Sequence, residues 1–449
     1  MNEIEIMTTA SLGDTSYLLV SGDEAALVDP QRDSWELMES CADRGVRIRY
    51  ALETHVHNDY VSGALEVRAA TGATVAGPAR APYAFDHLGL AEGDEITIGD
   101  VTVRALETPG HTVEHTSYLV FDGPRPEPAA VFTGGSLLVG TAGRTDLSGP
   151  DHTEELARAQ YHSLRRLALL PDTTRVLPTH GAGSSCSAGP AAEERTTTVG
   201  AERRTNPALT TAEEEFVSGR MTGLPPYPAY YHHMAPVNRS GPPVLGGPPP
   251  LRPLTPAAVE GLAGGGAQIV DGRDRAAFAA AHLPGSICEE LDDRFASLVA
   301  EVVPFGTRLV LVLPEPAEEA GREAVRQLLR IGYDDIAGHL VGGVDAWAAA
   351  GRPLRSFRTA DAAELAGHLA ERRILDVRPE HPDGGIPGAL VVPLAELPRR
   401  LGALPRDREF WTVCGSGRRA TIAASLLDRA GIPVTAVTRG GAGDLMRQA

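Results

Sequence analysis

The stretch Thr54-His55-Val56-His57-Asn58-Asp59-Tyr60 decides how the first half of this chain folds. It directly follows the apolar run 49–52, which predicts a buried strand. Alternation along an extended segment places His55 and His57 on one side, where both imidazoles can share a metal ion. The alternative is a pair of surface histidines in a polar loop, because so short a motif also matches by chance.

Two later segments present further histidines in the same local setting. Thr108-Pro-Gly-His111-Thr112 and Leu177-Pro-Thr-His180-Gly181 each follow a strand-like run and lead into a turn. Histidines at strand ends are hard to explain as core residues, which would lie within the strands. The four histidines therefore predict a metal site.

Five short motifs follow one another in order along the first 240 residues. They are HxHxD at 55–59, PGHT at 109–112, FTG at 132–134, GRTD at 143–146 and THG at 179–181. In this order they resemble the metallo-β-lactamase superfamily, and within it the branch that contains glyoxalase II and the persulfide dioxygenases. Segments 179–186 and 202–209 resemble the same branch. The resemblance implies a metallo-β-lactamase αββα sandwich, which is an α/β fold.

Three positions depart from the pattern of that branch. Tyr60 stands where the branch has a second-metal histidine, Gly135 where it has an aspartate ligand, and Thr141 where a second aspartate is common. The missing imidazole argues against a binuclear hydrolase site. Persulfide dioxygenases hold one Fe(II) with two histidines and a carboxylate, which leaves positions open for substrate and O2. His55 and His111 match those histidines, whereas Gly135 removes the carboxylate.

The resemblance and the residues together predict one Fe(II) per chain, with Zn as the alternative. The predicted metal ligands are His55, His57, Asp59 and His111. His57 or Asp59 could take the place of the missing carboxylate, or an exogenous ligand or substrate thiolate could fill it. The third alternative is that metal binds weakly or not at all, because Gly135 offers no ligand. Arg144 of the GRTD motif is expected to bind substrate.

A proline-rich segment, SGPPVLGGPPPLRP at 240–253, separates this part of the chain from the rest. Its proline density favours an extended, semi-rigid linker. Beyond it, the pattern of 269–287 recurs at 374–390, each copy reading as a buried strand, a loop and a Pro-Gly turn. A second apolar run and a helix follow in each copy, so two parallel α/β domains are expected. The predicted domains are 1–239, metallo-β-lactamase-like; 254–356, inactive rhodanese-like; and 357–449, rhodanese with a catalytic cysteine.

The second copy contains the cysteine loop Val413-Cys414-Gly-Ser-Gly-Arg-Arg419 between an apolar strand and a helix. Inward-pointing N–H groups, the helix dipole and two arginines there would favour a thiolate and stabilise a bound persulfide. The loop resembles the CxxGxR active loop of rhodanese sulfurtransferases. The alternative is a buried structural cysteine. The predicted residues are the catalytic Cys414 and Arg419, with Gly415, Ser416, Gly417 and Arg418 binding the persulfide.

The first copy differs at the corresponding loop. It reads Leu313-Pro-Glu-Pro-Ala-Glu-Glu319, which lacks a cysteine and is acidic enough to repel a persulfide. This domain is therefore predicted to be a structural or docking relic. Cys41 and Cys288 are expected in the core, and Cys186 is interpreted as a surface thiol rather than a sulfur relay.

Composition limits the classes of partner. The formal charge of −18 over 449 residues argues against nucleic acid and against an anionic membrane surface. The acidic N-terminus without a following apolar run and the four dispersed cysteines indicate a cytoplasmic protein with reduced thiols. A homo-oligomer is the default expectation.

Three functions remain open from the sequence. The favoured one is a persulfide dioxygenase-like and sulfurtransferase fusion that acts on low-molecular-weight thiol persulfides and exchanges sulfur with sulfite or thiosulfate. The second is a metallo-hydrolase of thioester type, in which the metal activates water. The third is a sulfur carrier or scaffold with a degenerate metal site.

Overall fold

The computed structural model describes residues 2–189, 192–369, 371–379 and 385–448. The chain divides into two compact units. The first runs to Pro249, within the proline-rich segment, and also includes Leu329–Ile331; the second takes the other residues from Pro250 onward. No helix in the described ranges combines the length and the apolar character that crossing a bilayer would require.

The N-terminal unit alternates strands with a few helices. Its strands are β1 (Glu3–Thr9), β2 (Asp14–Ser21), β3 (Glu24–Val28), β4 (Arg47–Leu52), β5 (Thr74–Pro78), β6 (Leu88–Leu90), β7 (Glu95–Ile98), β8 (Val101–Glu107), β9 (Thr116–Asp122), β10 (Ala130–Gly134), β11 (Leu137–Leu138), β12 (Thr141–Ala142), β13 (Arg175–Pro178) and β14 (Thr197–Thr198). Its helices are α1 (Trp35–Asp43), α2 (Ala64–Thr71), α3 (Thr153–Leu167), α4 (Val199–Thr205), α5 (Pro207–Thr210), α6 (Glu213–Met221) and α7 (Tyr231–Ser240), with a 3-10 turn at Pro150–His152.

Two mixed sheets form this unit, in the orders β1-β2-β3-β4-β5-β6 and β14-β13-β10-β9-β8-β7. One apolar core joins them, because Tyr17 and Val28 of the first sheet pack with Tyr118 and Phe132 of the second. On the other face of the second sheet, Leu164 and its apolar neighbours on α3 form a separate cluster. The result is the helix-flanked sandwich that the sequence predicts.

The strand prediction needs one correction. The sequence pattern at 15–27 and 96–106 predicts half-buried, mainly antiparallel strands, and the pairs β2–β3 and β7–β8 are antiparallel. Every residue of β2 is buried, however, and from β3 to β6 the first sheet is parallel. A strand inside a sheet that is covered on both faces loses the polar alternation of a one-sided sheet.

The C-terminal unit repeats one parallel α/β pattern. Its strands are β15 (Pro253–Leu254), β16 (Gln268–Asp271), β17 (Ile287–Cys288), β18 (Leu309–Val312), β19 (Ile336–Leu340), β20 (Arg358–Asp361), β21 (Arg373–Asp376), β22 (Leu390–Val391), β23 (Phe410–Val413) and β24 (Val434–Arg439). Its helices are α8 (Pro256–Gly264), α9 (Arg275–Ala280), α10 (Phe295–Val302), α11 (Ala317–Arg330), α12 (Gly343–Ala349), α13 (Ala362–Ala366), α14 (Leu397–Arg400), α15 (Arg418–Arg429) and α16 (Ala442–Gln448), with 3-10 turns at Leu394–Glu396 and Leu401–Ala403.

The two sheets of this unit have equivalent orders, β15-β19-β18-β16-β17 and β20-β24-β23-β21-β22. The strand pairs within them are parallel, which confirms the α/β repeat seen in the sequence. Each copy opens on a capped helix: Thr255 accepts from the Ala258 amide, and Asp361 accepts from that of Glu364.

Candidate metal centre and sulfur-transfer loop

Four histidines from distant segments meet at one end of the N-terminal sandwich. Strands β4, β8 and β13 end at Leu52, Glu107 and Pro178, and the histidine segments follow directly. The His55 ring centroid lies 4.1 Å from that of His57, 4.9 Å from His111 and 5.4 Å from His180. All four rings are buried. Their convergence supports the reading of the histidines as one cluster.

Hydrogen bonds outside the cluster fix how the rings point. His111 Nδ1 lies 2.7 Å from the carbonyl oxygen of Arg144, and His55 Nδ1 lies 2.8 Å from Thr54 Oγ1. His111 Nε2 and His57 Nδ1 have no hydrogen-bond partner among the described residues. A buried ring nitrogen without a partner costs free energy unless a ligand occupies it. These nitrogens are the ones available to a metal.

His180 is held by two carboxylates, and only one of them, Asp59, is a residue that the sequence predicts for the site. Its Nδ1 lies 2.9 Å from Asp14 and 3.2 Å from Asp59. Burial would lower the pKa of His180, but the charges of Asp59 and Asp14 outweigh it and raise that pKa to about 9. Burial and the neighbouring Asp59 together raise the pKa of Asp14 to about 7. Asp59, predicted as a metal ligand, thus contacts Nδ1 of His180.

His57 sits in a similar acidic pocket. Its Nε2 lies 2.9 Å from Glu53 and 3.3 Å from Asp29. Burial would lower the pKa of His57, but the charge of Asp29 and the hydrogen bonds of both carboxylates raise it. Tyr60 stacks on the His57 ring at 4.3 Å and donates its hydroxyl to the Asp29 carbonyl at 3.2 Å. The tyrosine therefore occupies the position of the missing histidine as a packed neighbour of His57.

The space beside Gly135 is already taken. A Cβ atom on this residue would lie 2.1 Å from Cδ2 of His111. Gly143 is equally confined, since its Cβ would lie 2.0 Å from the Gly135 carbonyl oxygen. Carbon atoms in contact are normally about 3.5–4.0 Å apart. The His111 ring thus fills the space through which an aspartate side chain at position 135 would pass.

Cys186 requires a correction. The sequence interpretation made it a surface thiol, but its side chain is completely buried. Its Sγ belongs to a group with His111 and His180 whose ligand atoms all lie within 4.8 Å of one another. Burial raises the pKa of this thiol well above its ordinary value. The Gly/Ser loop that looked exposed in sequence is folded inward.

The donor set suits a transition metal. Two of the groups at the centre are His55–His57–His180 and His111–His180–Cys186, and two others join carboxylates to these histidines, Asp14–Asp59–His180 and Asp29–Glu53–His57. Imidazole and thiolate donors favour Zn, Fe or Cu over Mg or Ca. Together with the unpartnered His111 and His57 nitrogens, they fit a metal ion such as Fe(II) or Zn.

A cavity of about 480 Å³ opens beside this cluster. Asn58 and Thr112, next to metal-candidate residues, contribute to its wall, as does Tyr231, whose hydroxyl lies 3.9 Å from Cys186 Sγ. The charged lining residues of the cavity are Arg239, Glu114 and Arg80, which pairs with Glu107. The cavity suits a small polar molecule next to the metal candidates.

Arg144, predicted to bind substrate, lies inside the fold. It is 1% exposed. Its guanidinium pairs with Asp146 at 2.7 Å and donates to the carbonyl oxygens of Ser185 and Pro225, each at 2.8 Å. These contacts hold the GRTD motif against the loop that contains Cys186.

Cys414 lies at the carboxyl end of β23, just before α15 begins at Arg418. The Gly417 amide donates a hydrogen bond to Cys414 Sγ at 3.1 Å. Gly417 has a φ of +88°, and a Cβ there would lie 2.4 Å from the Thr438 carbonyl oxygen, so only glycine fits. The thiol therefore sits at the positive end of a helix dipole, as the sequence predicts.

The arginines of this loop are not directed at the sulfur alone. Arg418 Nε donates to Glu289 at 2.6 Å and the guanidinium also contacts Asp292, while Arg419 pairs with Glu301 at 2.9 Å. All three acidic residues belong to the first rhodanese-like copy. That copy, interpreted from sequence as a relic, thus contributes charge to the environment of the cysteine loop.

The remaining cysteines agree with expectation. Cys41 in α1 and Cys288 at the end of β17 are both buried. Burial raises the pKa of each thiol. Neither is placed for chemistry.

Comparison with known proteins places the domains in two families. Residues 12–180 match the Metallo-beta-lactamase superfamily model, and residues 255–350 and 361–444 match the Rhodanese-like domain model. A Hydroxyacylglutathione hydrolase of Cereibacter sphaeroides is 35% identical over 182 residues, which are 39% of this chain and 66% of that protein. The chain thus spans slightly less than two thirds of that relative.

Two further similarities reach more completely across the matched protein. A Hydroxyacylglutathione hydrolase of Pseudomonas entomophila is 30% identical over 211 residues, which are 42% of this chain and 78% of that protein. The crystal structure of a metallo-beta-lactamase from Staphylococcus aureus superposes with a TM-score of 0.67 at 27% identity. The superposition covers 76% of this chain and 98% of the Staphylococcus aureus chain, so the likeness extends beyond the N-terminal unit.

Proposed function

The chain belongs to the metallo-β-lactamase superfamily and continues into two rhodanese-like domains, and on this basis we propose that it oxidises low-molecular-weight persulfides and transfers their sulfur. The observation that carries the proposal is Cys414, whose sulfur receives the Gly417 amide at a helix N-terminus. A persulfide needs such a site, because its terminal sulfur is anionic.

Sulfur transfer at Cys414 needs no further cofactor. The Cys414 thiolate attacks the outer sulfur of thiosulfate, and sulfite leaves with the electrons of the broken S–S bond. The sulfur is then held as the Cys414 persulfide, whose charge the Gly417 amide and the α15 dipole stabilise. An acceptor thiolate attacks this outer sulfur, and the Cys414 thiolate leaves.

The N-terminal domain would carry out the oxidative half. A ferrous ion bound there would supply coordination positions at which a persulfide sulfur and O2 meet. Each persulfide would consume one O2 and one water and give the thiol, sulfite and two protons. Asp14 and Asp59 orient His180 through its Nδ1 in the manner of carboxylate–histidine pairs at metal sites.

The cavity supports a small anionic thiol as the carrier. Its Arg80 and Arg239 can receive carboxylates, and Asn58 and Thr112, which also line it, are the sequence neighbours of His57 and His111. Glutathione persulfide is a substrate of this class.

Two assays test the proposal on the full chain. Protein purified anaerobically and loaded with Fe(II) should take up oxygen with glutathione persulfide and release sulfite. The same protein should transfer sulfur from thiosulfate to cyanide, and Cys414→Ser should abolish this transfer while Cys41→Ser leaves it unchanged. Absence of oxygen uptake with every persulfide would refute the oxidative half of the proposal. Transfer that survives Cys414→Ser would refute the role of this cysteine.

Hydrolysis of a glutathione thioester is the second candidate. It is favoured by the name of the relatives, hydroxyacylglutathione hydrolase, at 30–35% identity. Tyr60 in place of a histidine and the crowding at Gly135 count against a two-metal hydrolytic site. Turnover of a glutathione thioester by the Zn-loaded chain, without oxygen uptake, would establish this candidate instead.

A further inference from the structure

The anionic ligand that Gly135 lacks cannot come from that position. The His111 ring occupies the path of any side chain there, 2.1 Å from where its Cβ would be. His111 is also held in place by its 2.7 Å contact with the Arg144 carbonyl oxygen. An anionic donor must therefore approach from another segment.

Two carboxylates lie beside the other ring nitrogen of His180. Asp14 and Asp59 both contact Nδ1 of His180, which turns the Nε2 of that ring toward the cluster. The His180 Nε2 lies 3.4 Å from the His55 Nε2. Through Nδ1 these carboxylates orient His180, while both oxygens of Asp59 are buried without a hydrogen-bond partner among the described residues, so Asp59 stays available as a further donor to the metal.

The loop after β13 brings a sulfur next to two histidines of the cluster. Cys186 Sγ, His111 and His180 present ligand atoms that all lie within 4.8 Å of one another. The buried His111 Nε2 has no hydrogen-bond partner in the part of the chain that the structure describes. An unpartnered nitrogen beside a buried thiol is the arrangement that a metal ion would complete.

The backbone of this loop is fixed on both sides of the cysteine. The Arg144 amide donates to the Cys186 carbonyl oxygen at 2.9 Å, and Ser184 Oγ accepts from the Cys186 amide at 3.2 Å. The thiol itself contacts the Tyr231 hydroxyl at 3.9 Å and lies within hydrogen-bonding reach of the Asp59 carboxyl group. The scaffold thus positions Sγ beside Asp59 and the histidines.

We propose that Cys186 supplies a thiolate ligand, together with His111 and His180, to the metal ion of the N-terminal domain. The thiolate returns the single negative charge that the absent aspartate would have brought. It also shifts the preference of the site toward softer metals, because thiolate is a softer donor than carboxylate. The inference rests on the metal centre of the proposed function and specifies its ligands.

Cobalt titration of the metal-free full-length protein tests the assignment. Co(II) bound to the wild type should show a thiolate-to-cobalt charge-transfer band in the near ultraviolet. In Cys186→Ser the band should disappear, and cobalt affinity should fall by about 100-fold, the upper end of the loss seen for weaker changes around metal sites. Cys41→Ser and Cys414→Ser, which alter thiols outside the cluster, should keep both band and affinity.

A measurement that needs no change at position 186 guards against misfolding. X-ray absorption of the Zn-loaded Cys414→Ser protein should show a Zn–S distance of about 2.3 Å. A shell of nitrogen and oxygen only would overturn the assignment, as would a cobalt band that persists in Cys186→Ser. Metal bound without sulfur would leave the proposed function standing, whereas no metal binding by the wild type would remove both this ligand assignment and the oxidative half of the proposed function.

Discussion

Restoring the family aspartate by Gly135→Asp should damage the metal centre. The new Cβ would lie 2.1 Å from His111 Cδ2, well inside the contact distance of about 3.5 Å, so the ring or the backbone must move by more than an ångström. Overpacking of this kind costs about 1–3 kcal/mol. Displacing His111 also breaks its contact with the Arg144 carbonyl oxygen, which adds about 1–3 kcal/mol for a buried group left unpaired.

Together these two costs lower the local stability by about 2–6 kcal/mol. Strand β10, which ends next to position 135, should then open more often, so that its amide hydrogens exchange at least about 30-fold faster. Hydrogen–deuterium exchange with mass spectrometry on the full chain measures this directly, alongside Fe or Zn content. Gly219→Asp is the matched control, because a Cβ there meets nothing within 4 Å. If Gly135→Asp binds more metal than the wild type and exchanges no faster, then the His111 ring does not block the position and the reasoning is wrong.

Three further predictions concern the cysteine loop, the protonation of His180 and the cavity beside the histidines. Glu289→Ala removes the buried acceptor of two Arg418 N–H groups and leaves the half-exposed Asp292 as the acidic partner of this arginine. The free energy of unfolding of the C-terminal unit should therefore fall by about 3 kcal/mol and sulfur transfer should slow. An unchanged urea midpoint and rate would contradict this. The pKa of His180 is raised to about 9, so its stabilising proton is fully bound below pH 6.5 and is lost as pH rises through 9. The metal-free protein should therefore melt at a lower temperature at pH 9 than at pH 6.5, whereas the apparent Zn affinity should rise by up to about tenfold per pH unit. Calorimetry checks the fall in melting temperature, and Zn competition at both pH values checks the rise in affinity. Arg239→Ala at the cavity should raise KM for an anionic persulfide by up to about fivefold with kcat unchanged, since an exposed charge contributes about 1 kcal/mol or less. A change in kcat alone would show that this arginine does not act by binding the substrate.

Much of the architecture could be read from local patterns. The sequence predicts helix starts at Thr255-Pro256 and at Thr359-Ala-Asp361, and helices α8 and α13 begin there. It also predicts a helix from Arg419 to Arg429, and α15 begins one residue earlier, at Arg418. Such features depend on neighbours within a few positions, and burial periodicity or capping records them directly. The full burial of β2 was missed, because cover on both faces of a sheet comes from segments remote in sequence.

By itself, the sequence determined the family motifs, the histidines at strand ends and the cysteine at a helix N-terminus. Each of these lies within a single strand-loop-helix segment, whose geometry the local chain imposes. Only the tertiary structure decided that Asp14 would contact His180 from 166 positions away and that Arg418 would pair with Glu289 across 129. It alone placed Cys186 inside the histidine cluster. A contact between distant segments depends on how sheets and helices pack, and no short pattern in the chain encodes that distance.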